Sequence, residues 1–197
     1  FLNGKDPKNF VVTEKYDGSP AVIVGHDMNT GQFFIATKAF FSKSPKVNYS
    51  LEDIEKNYGS IPKLATKLSQ AFTSLQDSIP KKGVFQGDLM YTADDVKHEG
   101  SKVSFTPNTI TYAANKDTPA GRRVSNTKLG IVMHTEYKGE DMQHLKASFQ
   151  VDQKKFTNTG DVNFIDPSVN VKDVKYTPED EKKYAHNMMK ARELHDS

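Results

Sequence analysis

The sequence predicts an α+β fold with a mostly antiparallel sheet. Apolar runs of strand length come first, helical patterns follow, strand patterns return, and a helical pattern closes the chain. Strands that follow one another through turns pair antiparallel, and helices grouped apart from such strands are typical of α+β domains. No internal repeat and no low-complexity segment interrupts this order.

The first strands are predicted to form a β-meander over residues 10–41. Its strands lie at residues 10–15, 21–25 and 32–36, and the third runs into Phe40-Phe41. Asp17-Gly18 and Asn29-Thr30-Gly31 supply the two turns, because asparagine, aspartate and glycine accept turn conformations readily. We therefore expect a hairpin between the first two strands.

Residues 51–79 are predicted to be helical. Apolar side chains recur there at spacings of three and four residues, which places them on one helix face: Leu64, Leu68, Phe72, Leu75 and Ile79. Ser60 and Pro62 favour a helix start, and Pro80 favours its end. A shorter helix is expected to begin at Ser50, where Ser-Leu-Glu-Asp resembles a capping box.

The second half of the chain returns to strand patterns, at residues 83–91, 102–105, 109–114 and 129–137, with shorter candidates over residues 146–175. Residues 119–123 (Pro-Ala-Gly-Arg-Arg) are predicted to be a basic loop, and its two arginines, Arg122 and Arg123, are local candidates for phosphate contact. Thr177-Pro178 opens a last predicted helix. The expected organisation is one domain at residues 1–175 and a C-terminal helix at residues 176–197.

Length and composition restrict the class of protein only loosely. The 197 residues suit one domain of fair size, and a net charge of +2 is compatible with a nucleic-acid partner without indicating one. Cysteine is absent, which excludes disulfides and thiolate metal sites. No apolar run approaches the roughly 20 residues of a membrane span, so no membrane partner is expected. The start at Phe1 and the helical pattern running up to Ser197 favour a piece of a longer protein; oligomeric state is left open.

The segment Glu14-Lys15-Tyr16-Asp17-Gly18 carries the clearest chemical signal. A lysine must lose its proton to act as a nucleophile, and its ordinary pKa is about 10.4. Burial beside apolar strands and a neighbouring cation, for which Lys38 is the candidate, both lower that pKa. The plain alternative is a turn with a solvated lysine beside it.

Three further segments add to this signal. Thr37-Lys38 follows the third strand, Phe85-Gln86-Gly87-Asp88-Leu89 lies in a later strand, and residues 104–112 read Ser-Phe-Thr-Pro-Asn-Thr-Ile-Thr-Tyr. Each has a structural alternative: an exposed strand end, a β-bulge at Gly87-Asp88, and core packing for Phe105 and Tyr112. His134, on a strand next to Glu136, is the histidine with the best claim to a site, although an ordinary half-buried histidine is its alternative.

The ordered set of these segments over residues 8–140 resembles the RNA/DNA ligase-like covalent nucleotidyltransferase superfamily, whose signature is Lys-x-Asp-Gly. The amino-acid sequence of these segments is most similar to uncharacterised RNA-ligase-like proteins of tailed phages. The resemblance implies an ATP-grasp-like domain with two mainly antiparallel sheets around a nucleotide cleft and flanking helices. It also implies that Lys15 attacks the α-phosphate of ATP, with Mg²⁺ present, and forms a lysyl-AMP adduct.

The resemblance further assigns roles to particular residues. The nucleophile would be Lys15, and the nucleotide would contact Glu14, Asp17, Gly18, Lys38, Phe85, Asp88 and Phe105. Asp88 and Glu136 would be the metal ligands. AMP would then pass to the 5′-phosphate of an RNA or DNA end, in the cytoplasm of a host cell or in a virion. GTP in place of ATP remains open.

The chain also departs from the superfamily pattern. Asp88 stands in place of the usual glutamate, and Pro20 where many DNA ligases carry arginine. In the segment that matches Glu-Gly-x-Val-x-Lys, Leu129 replaces the glutamate and His134 the lysine, and no Lys-x-Lys element follows. Two alternatives therefore stay open: a catalytically silent ligase-like phage structural or interaction protein, and an enzyme that adenylylates an acceptor other than nucleic acid.

Overall fold

A computed structural model describes residues 12–13 and 18–169 of the chain. The chain divides into two compact units, one of residues 1–14 with 168–197 and the other of residues 15–167. In the first unit, strand β1 (Val12–Thr13) pairs antiparallel with strand β11 (Ser168–Val169). The predicted C-terminal helix lies outside the described residues, so the predicted boundary at residue 175 stays a prediction.

The second unit contains the remaining described strands and helices. The strands are β2 (Ala21–His26), β3 (Phe33–Ala36), β4 (Val84–Thr92), β5 (Lys97–Glu99), β6 (Lys102–Phe105), β7 (Tyr112–Asn115), β8 (Leu129–Lys138), β9 (Lys146–Ser148) and β10 (Val162–Phe164). The α-helices are α1 (Leu51–Tyr58), α2 (Pro62–Leu75) and α3 (Pro119–Asn126). Short 3-10 helices occupy Lys38–Phe41, Ala93–Asp95 and Gln153–Lys155.

These strands form a six-stranded and a three-stranded sheet. The larger has the order β10-β8-β4-β2-β3, with β9 also paired to β8, and every pairing except β10 with β8 is antiparallel. The smaller has the order β5-β6-β7 and is antiparallel throughout. The predicted α+β class with mainly antiparallel sheets is therefore confirmed.

The predicted hairpin between the first two strands is wrong. β2 pairs with β3, as expected, but its other edge pairs with β4 through a register that sets Ala21 opposite Asp88. A strand has two edges for hydrogen bonding, so β2 has none left for β1. β1 and β2 are therefore not paired neighbours joined by a hairpin turn.

Helices α1 and α2 begin as predicted, and α2 ends earlier than predicted. The Ser50 side chain caps α1 by accepting a hydrogen bond from the Asp53 amide, and the Asp53 carboxylate accepts one from the Tyr49 amide, one residue before the cap. α2 ends at Leu75, before Pro80, although Ile79 remains buried. Within the described part of the chain, no helix combines the length and the apolarity needed to cross a bilayer.

The segment predicted as a basic loop is a helix. The Thr118 side chain caps α3 by accepting a hydrogen bond from the Gly121 amide, and Pro119 fits the first turn because its missing N–H would have no partner there. Gly121 admits close contact with the backbone of Asn115, which a Cβ atom would obstruct. The threonine-proline start signal was present in the sequence, but the Gly-Arg-Arg run obscured it.

The two faces of the six-stranded sheet differ in what covers them. One face, called here the helix face, packs α1 and α2 against alternate strand residues such as Val22, Ile35 and Leu89. The other, called here the open face, carries two separate apolar clusters. One contains Met90 and Val132 with residues of β6, β7 and α3; the other is centred on buried residues of β2, β3 and β4.

Candidate functional site

Two motifs that lie far apart in the sequence meet on strand β4. The Ser19 amide donates to the Leu89 carbonyl at 3.0 Å, and the Leu89 amide donates to the Pro20 carbonyl at the same distance. β2 then begins at Ala21, directly opposite Asp88. The end of the Lys-x-Asp-Gly segment is therefore fixed against the Gly-Asp-Leu segment by backbone hydrogen bonds.

Gly18 makes this contact possible because it has no side chain. A Cβ atom at this position would lie 2.6 Å from the Asp88 Cβ, 2.9 Å from the Leu89 carbonyl oxygen and 2.9 Å from the Met90 Sδ. The glycine is required by a close approach to a neighbouring strand. Glu14, Lys15 and Asp17, predicted to bind or attack the nucleotide, lie outside the described residues, and their roles stay predictions.

Asp88 belongs to a row of polar side chains on the open face, called here the polar strip: Gln86, Asp88, His134, Thr135 and Tyr137. Along β4, Phe85 and Leu89 belong to the helix-face cluster, so the alternation of a strand places Gln86 and Asp88 on the opposite face. On β8, Thr135 pairs with Gln86 and Met133 pairs with Gly87. His134 is the extra residue between them, at a β-bulge.

Hydrogen bonds connect the members of the polar strip in two groups. His134 Nε2 lies 3.4 Å from Asp88 Oδ2, and His134 Nδ1 lies 2.7 Å from the Thr135 hydroxyl. The Tyr137 hydroxyl donates to Gln86 Oε1, and burial raises the pKa of that tyrosine, which keeps it a donor. The Asp88 and His134 side chains are 24% and 34% exposed, so both can be reached by a ligand.

The polar strip lies between the two apolar clusters of the open face. Met90 and Val132 follow it towards one end, where Phe105 and Val124 cover them. Ile23 and other residues of the second cluster border its other end. Between these covered ends, Asp88 and His134 stay partly exposed, so this part of the open face is accessible to a ligand.

Lys38 lies on a segment that folds over the open face. It begins the 3-10 helix after β3, which Thr37 caps, and its side chain is exposed. Farther along that helix, the Phe40 ring stacks on Phe34 at 5.5 Å, and the Phe41 ring lies 4.9 Å from Tyr137. The structure thus brings the predicted cation to the element beside the polar strip.

Two predicted nucleotide contacts lie in apolar clusters away from the polar strip. Phe85 is fully buried on the helix face, with its ring 5.0 Å from that of Phe156. Phe105 is 7% exposed and packs between Tyr91 and Tyr112. The structure brings neither ring to Asp88, and both positions are those of core residues.

The structure does not bring the two predicted metal ligands together. Glu136 pairs with Phe85 in the sheet, on the helix face, and its carboxylate contacts Lys155 Nζ at 2.9 and 3.2 Å and Lys138 Nζ at 3.8 Å. Asp88 lies on the other face. Among the described residues no group of three or more histidine, aspartate or glutamate side chains is placed to hold a metal.

Sequence reasoning missed part of this arrangement. Thr135 and Tyr137 lie two residues apart on β8, a spacing that places both side chains on one face, but the pattern reads equally as a half-buried strand. Lys155, which neutralises Glu136, lies in a distant 3-10 helix that carries no motif. Only the three-dimensional fold brings it to β8.

Comparison with known proteins places the chain in one family. A family model matches residues 1–197, and the chain belongs to that family, DUF6267, described as a family of unknown function. Searches of the curated proteins and of the solved structures found no match.

Proposed function

We propose that this protein is an ATP-dependent, ligase-like adenylyltransferase that forms a covalent lysyl-AMP at Lys15. The observation that carries the proposal is the packing of Gly18 on Asp88, supported by the paired Ser19 and Pro20 hydrogen bonds to Leu89. We therefore expect a lysine three positions before Gly18 to belong to the same site as the accessible Asp88 carboxylate. The ATP-grasp-like description of the fold is part of this proposal.

In the first step, the unprotonated Lys15 amine attacks the α-phosphorus of ATP. An N–P bond forms, the bond between the α-phosphorus and the oxygen that bridges to the β-phosphate breaks, and pyrophosphate leaves with that electron pair. The attacking nitrogen then loses a proton to solvent. Lys38 supplies positive charge beside the strip, which favours the unprotonated lysine and attracts the triphosphate.

Asp88 and His134 would position the nucleotide on the polar strip. The Asp88 carboxylate can accept a hydrogen bond from a ribose hydroxyl, and a His134 ring N–H can donate to a phosphate oxygen, at the position where the superfamily pattern has a lysine. Asp88 also fits Mg²⁺ that is held mainly by substrate phosphates, whereas Glu136 is already neutralised by Lys155. Bound Mg²⁺ would neutralise charge on the leaving pyrophosphate.

The second step would transfer AMP to a terminal 5′-phosphate of RNA or DNA. Oxygen of the terminal phosphate attacks the adenylyl phosphorus, the N–P bond breaks, and Lys15 returns to its amine form. A strand 3′-hydroxyl can then displace AMP and join the two ends. The superfamily resemblance supports this acceptor, and an acceptor other than nucleic acid would use the same first step.

One observation favours a second candidate, a catalytically silent ligase-like interaction protein. Leu129, at the position of the superfamily's metal-binding glutamate, is fully buried in the helix-face core, and Glu136 is engaged by two lysines. Of the predicted metal carboxylates only Asp88 is accessible. A ligase-like protein that kept the polar strip but had lost catalysis would show this loss of accessible metal ligands.

Covalent labelling separates the two candidates. The full chain is incubated with α-labelled ATP and Mg²⁺, denatured and compared with Lys15→Ala and with Lys97→Ala, a matched exposed lysine on β5. We expect an acid-labile label on the wild type and on Lys97→Ala, removed by added pyrophosphate and absent from Lys15→Ala. No label on any chain, or equal label on Lys15→Ala, rejects adenylyl transfer at Lys15.

A second arm identifies the acceptor. Labelled enzyme is mixed with RNA and DNA oligonucleotides that carry either a 5′-phosphate or a 5′-hydroxyl. Transfer of label only to 5′-phosphorylated strands supports the ligase assignment. Transfer to neither strand, with an intact enzyme adduct, supports a different acceptor and rejects the polynucleotide one.

A further inference from the structure

A cavity with different chemistry from the polar strip lies beside helix α3. It is open, has a volume of about 620 Å³, and is lined by helix α3, residues 153–160 and strand β10. Its lining includes Phe156 and Val162, which belong to the helix-face cluster, whereas Asp88 lies on the opposite face of the sheet. The cavity is therefore a separate site from the polar strip.

The rim of this cavity is positively charged. Arg122 and Arg123 are both exposed and line it, and no aspartate or glutamate is among its lining residues. Within the described part of the chain neither arginine pairs with a carboxylate; Arg122 instead donates to the Asp117 carbonyl. A guanidinium has five N–H donors in a planar fork, so donors remain for a phosphate group.

The interior of the cavity is aromatic and amide-rich. Phe156 and Phe164 stack with ring centres 4.7 Å apart and planes 10° from parallel. Gln153 uses its Nε2 to donate to the Met133 carbonyl, which leaves its Oε1 buried without a donor. Asn163 lines the same interior and is 8% exposed. A buried acceptor without a partner is unfavourable, so the Gln153 amide at the cavity wall is not fully satisfied within the structure.

We propose that this cavity binds a nucleotide unit, with its phosphate on Arg122 and Arg123 and its base or sugar against Gln153, Phe156 and Asn163. The volume lies within the range of roughly 300–1,000 Å³ found for small-molecule sites. Arginine guanidinium groups form paired hydrogen bonds to phosphate, and the amide side chains of asparagine and glutamine form hydrogen bonds to the edges of bases. The unit can be a free nucleotide or part of a single strand, and the site does not depend on adenylyl transfer at Lys15.

Binding to fluorescent AMP and to a short fluorescent single-stranded RNA tests this site. The full chain carries Lys15→Ala and Asp88→Asn throughout, which prevents an adduct and weakens binding at the strip. Into this background we introduce Arg122→Ala with Arg123→Ala, or Asn126→Glu, which adds a carboxylate at the exposed rim. The matched control is Lys81→Ala with Lys82→Ala, a pair of adjacent exposed cations outside the cavity.

We expect both rim variants to raise the Kd of at least one probe about tenfold, since charge-assisted hydrogen bonds are lost or opposed, while the lysine pair leaves it unchanged. An effect on AMP identifies a free nucleotide as the ligand, and an effect on RNA alone identifies a strand. Equal effects of the arginine and lysine pairs, or binding of neither probe, overturn the proposal. Competition by inorganic phosphate at the same concentration as AMP also overturns it, because the cavity interior would then contribute nothing.

Discussion

The two faces of the central sheet differ in chemistry although the same strands build both. On the helix face, β4 contributes Phe85 and Leu89 to a closed apolar cluster under α1 and α2. On the open face, the same strand contributes Gln86 and Asp88 to a polar strip that remains accessible between two apolar clusters. Successive side chains of a strand point to opposite faces, so neighbouring residues serve opposite purposes.

This difference separates residues that stabilise the fold from residues that contact a ligand. Substitutions on the helix face should change the free energy of unfolding and leave ligand contacts intact, and substitutions of the polar-strip side chains should do the reverse. Glu136 and Asp88, both predicted as metal ligands, fall on different sides of this division. The four predictions below test it.

Phe85 should have the largest effect on stability. Phe85→Ala removes a fully buried ring that packs on Phe156, and we expect a loss of about 3–5 kcal/mol in the free energy of unfolding, from lost burial and a cavity. Urea denaturation measures it. Phe85→Leu, a milder change, should lose less stability and keep covalent labelling at the wild-type level; loss of labelling in a folded Phe85→Leu chain would instead make Phe85 a nucleotide contact.

Gly18 should have the next largest effect, because it lies against the open face. In Gly18→Ala the new methyl group would meet the Leu89 carbonyl and the Asp88 Cβ, at a cost of about 1–3 kcal/mol in the free energy of unfolding. Urea denaturation again measures the change. Gly31→Ala is an informative control, since nothing lies near its added Cβ but its φ of 73° is unfavourable for alanine. A Gly18→Ala chain with wild-type stability would contradict the close contact.

Glu136 should affect stability more than Asp88 does. Glu136→Gln leaves Lys155 without its partner at a nearly buried carboxylate, and we expect a loss of about 1–2 kcal/mol in the free energy of unfolding. Asp88→Asn, at a more exposed pair, should lose less than about 0.5 kcal/mol. Lys155→Met in a double-mutant cycle with Glu136→Gln isolates the pair. Equal losses for Glu136→Gln and Asp88→Asn would remove the distinction between the faces.

His26 should give the smallest effect, a dependence of stability on pH. Burial, and the positive charge of Lys81, lower the pKa of this histidine, and its Nδ1 donates to the Pro80 carbonyl. A lowered pKa means that the unfolded chain takes up the proton first. The His26 contribution is therefore complete above the ordinary pKa of about 6.5 and declines as pH falls below it.

Chemical denaturation at several pH values measures this dependence. Replacement of His26 by asparagine should flatten the acid side of the stability profile. Tyr49 provides the opposite test: burial and its hydrogen bond to Asp27 raise its pKa to about 12, so stability should fall as pH rises above about 10. A profile unchanged by the His26 replacement would contradict the effect of burial.

Local features of the fold were readable from the sequence. Apolar periodicity located α2 and the strands β2, β4, β6 and β8, because burial of one face leaves a repeating pattern. The Ser50 cap was readable because capping uses a side chain within the same turn. α3 also begins with a side-chain cap, at Thr118, but the Gly-Arg-Arg sequence that follows favoured the prediction of a loop.

The sequence alone therefore determined the α+β class, the main elements and the motif residues Gly18 and Asp88, since these depend on local composition and spacing. Tertiary structure decided which strand β2 uses as its second neighbour, which of the two predicted carboxylates stays accessible, and that His134 contacts Asp88. It also brought Arg122, Gln153 and Asn163 around one cavity. Such contacts depend on which edges and faces the folded chain leaves available, and no local pattern encodes that choice.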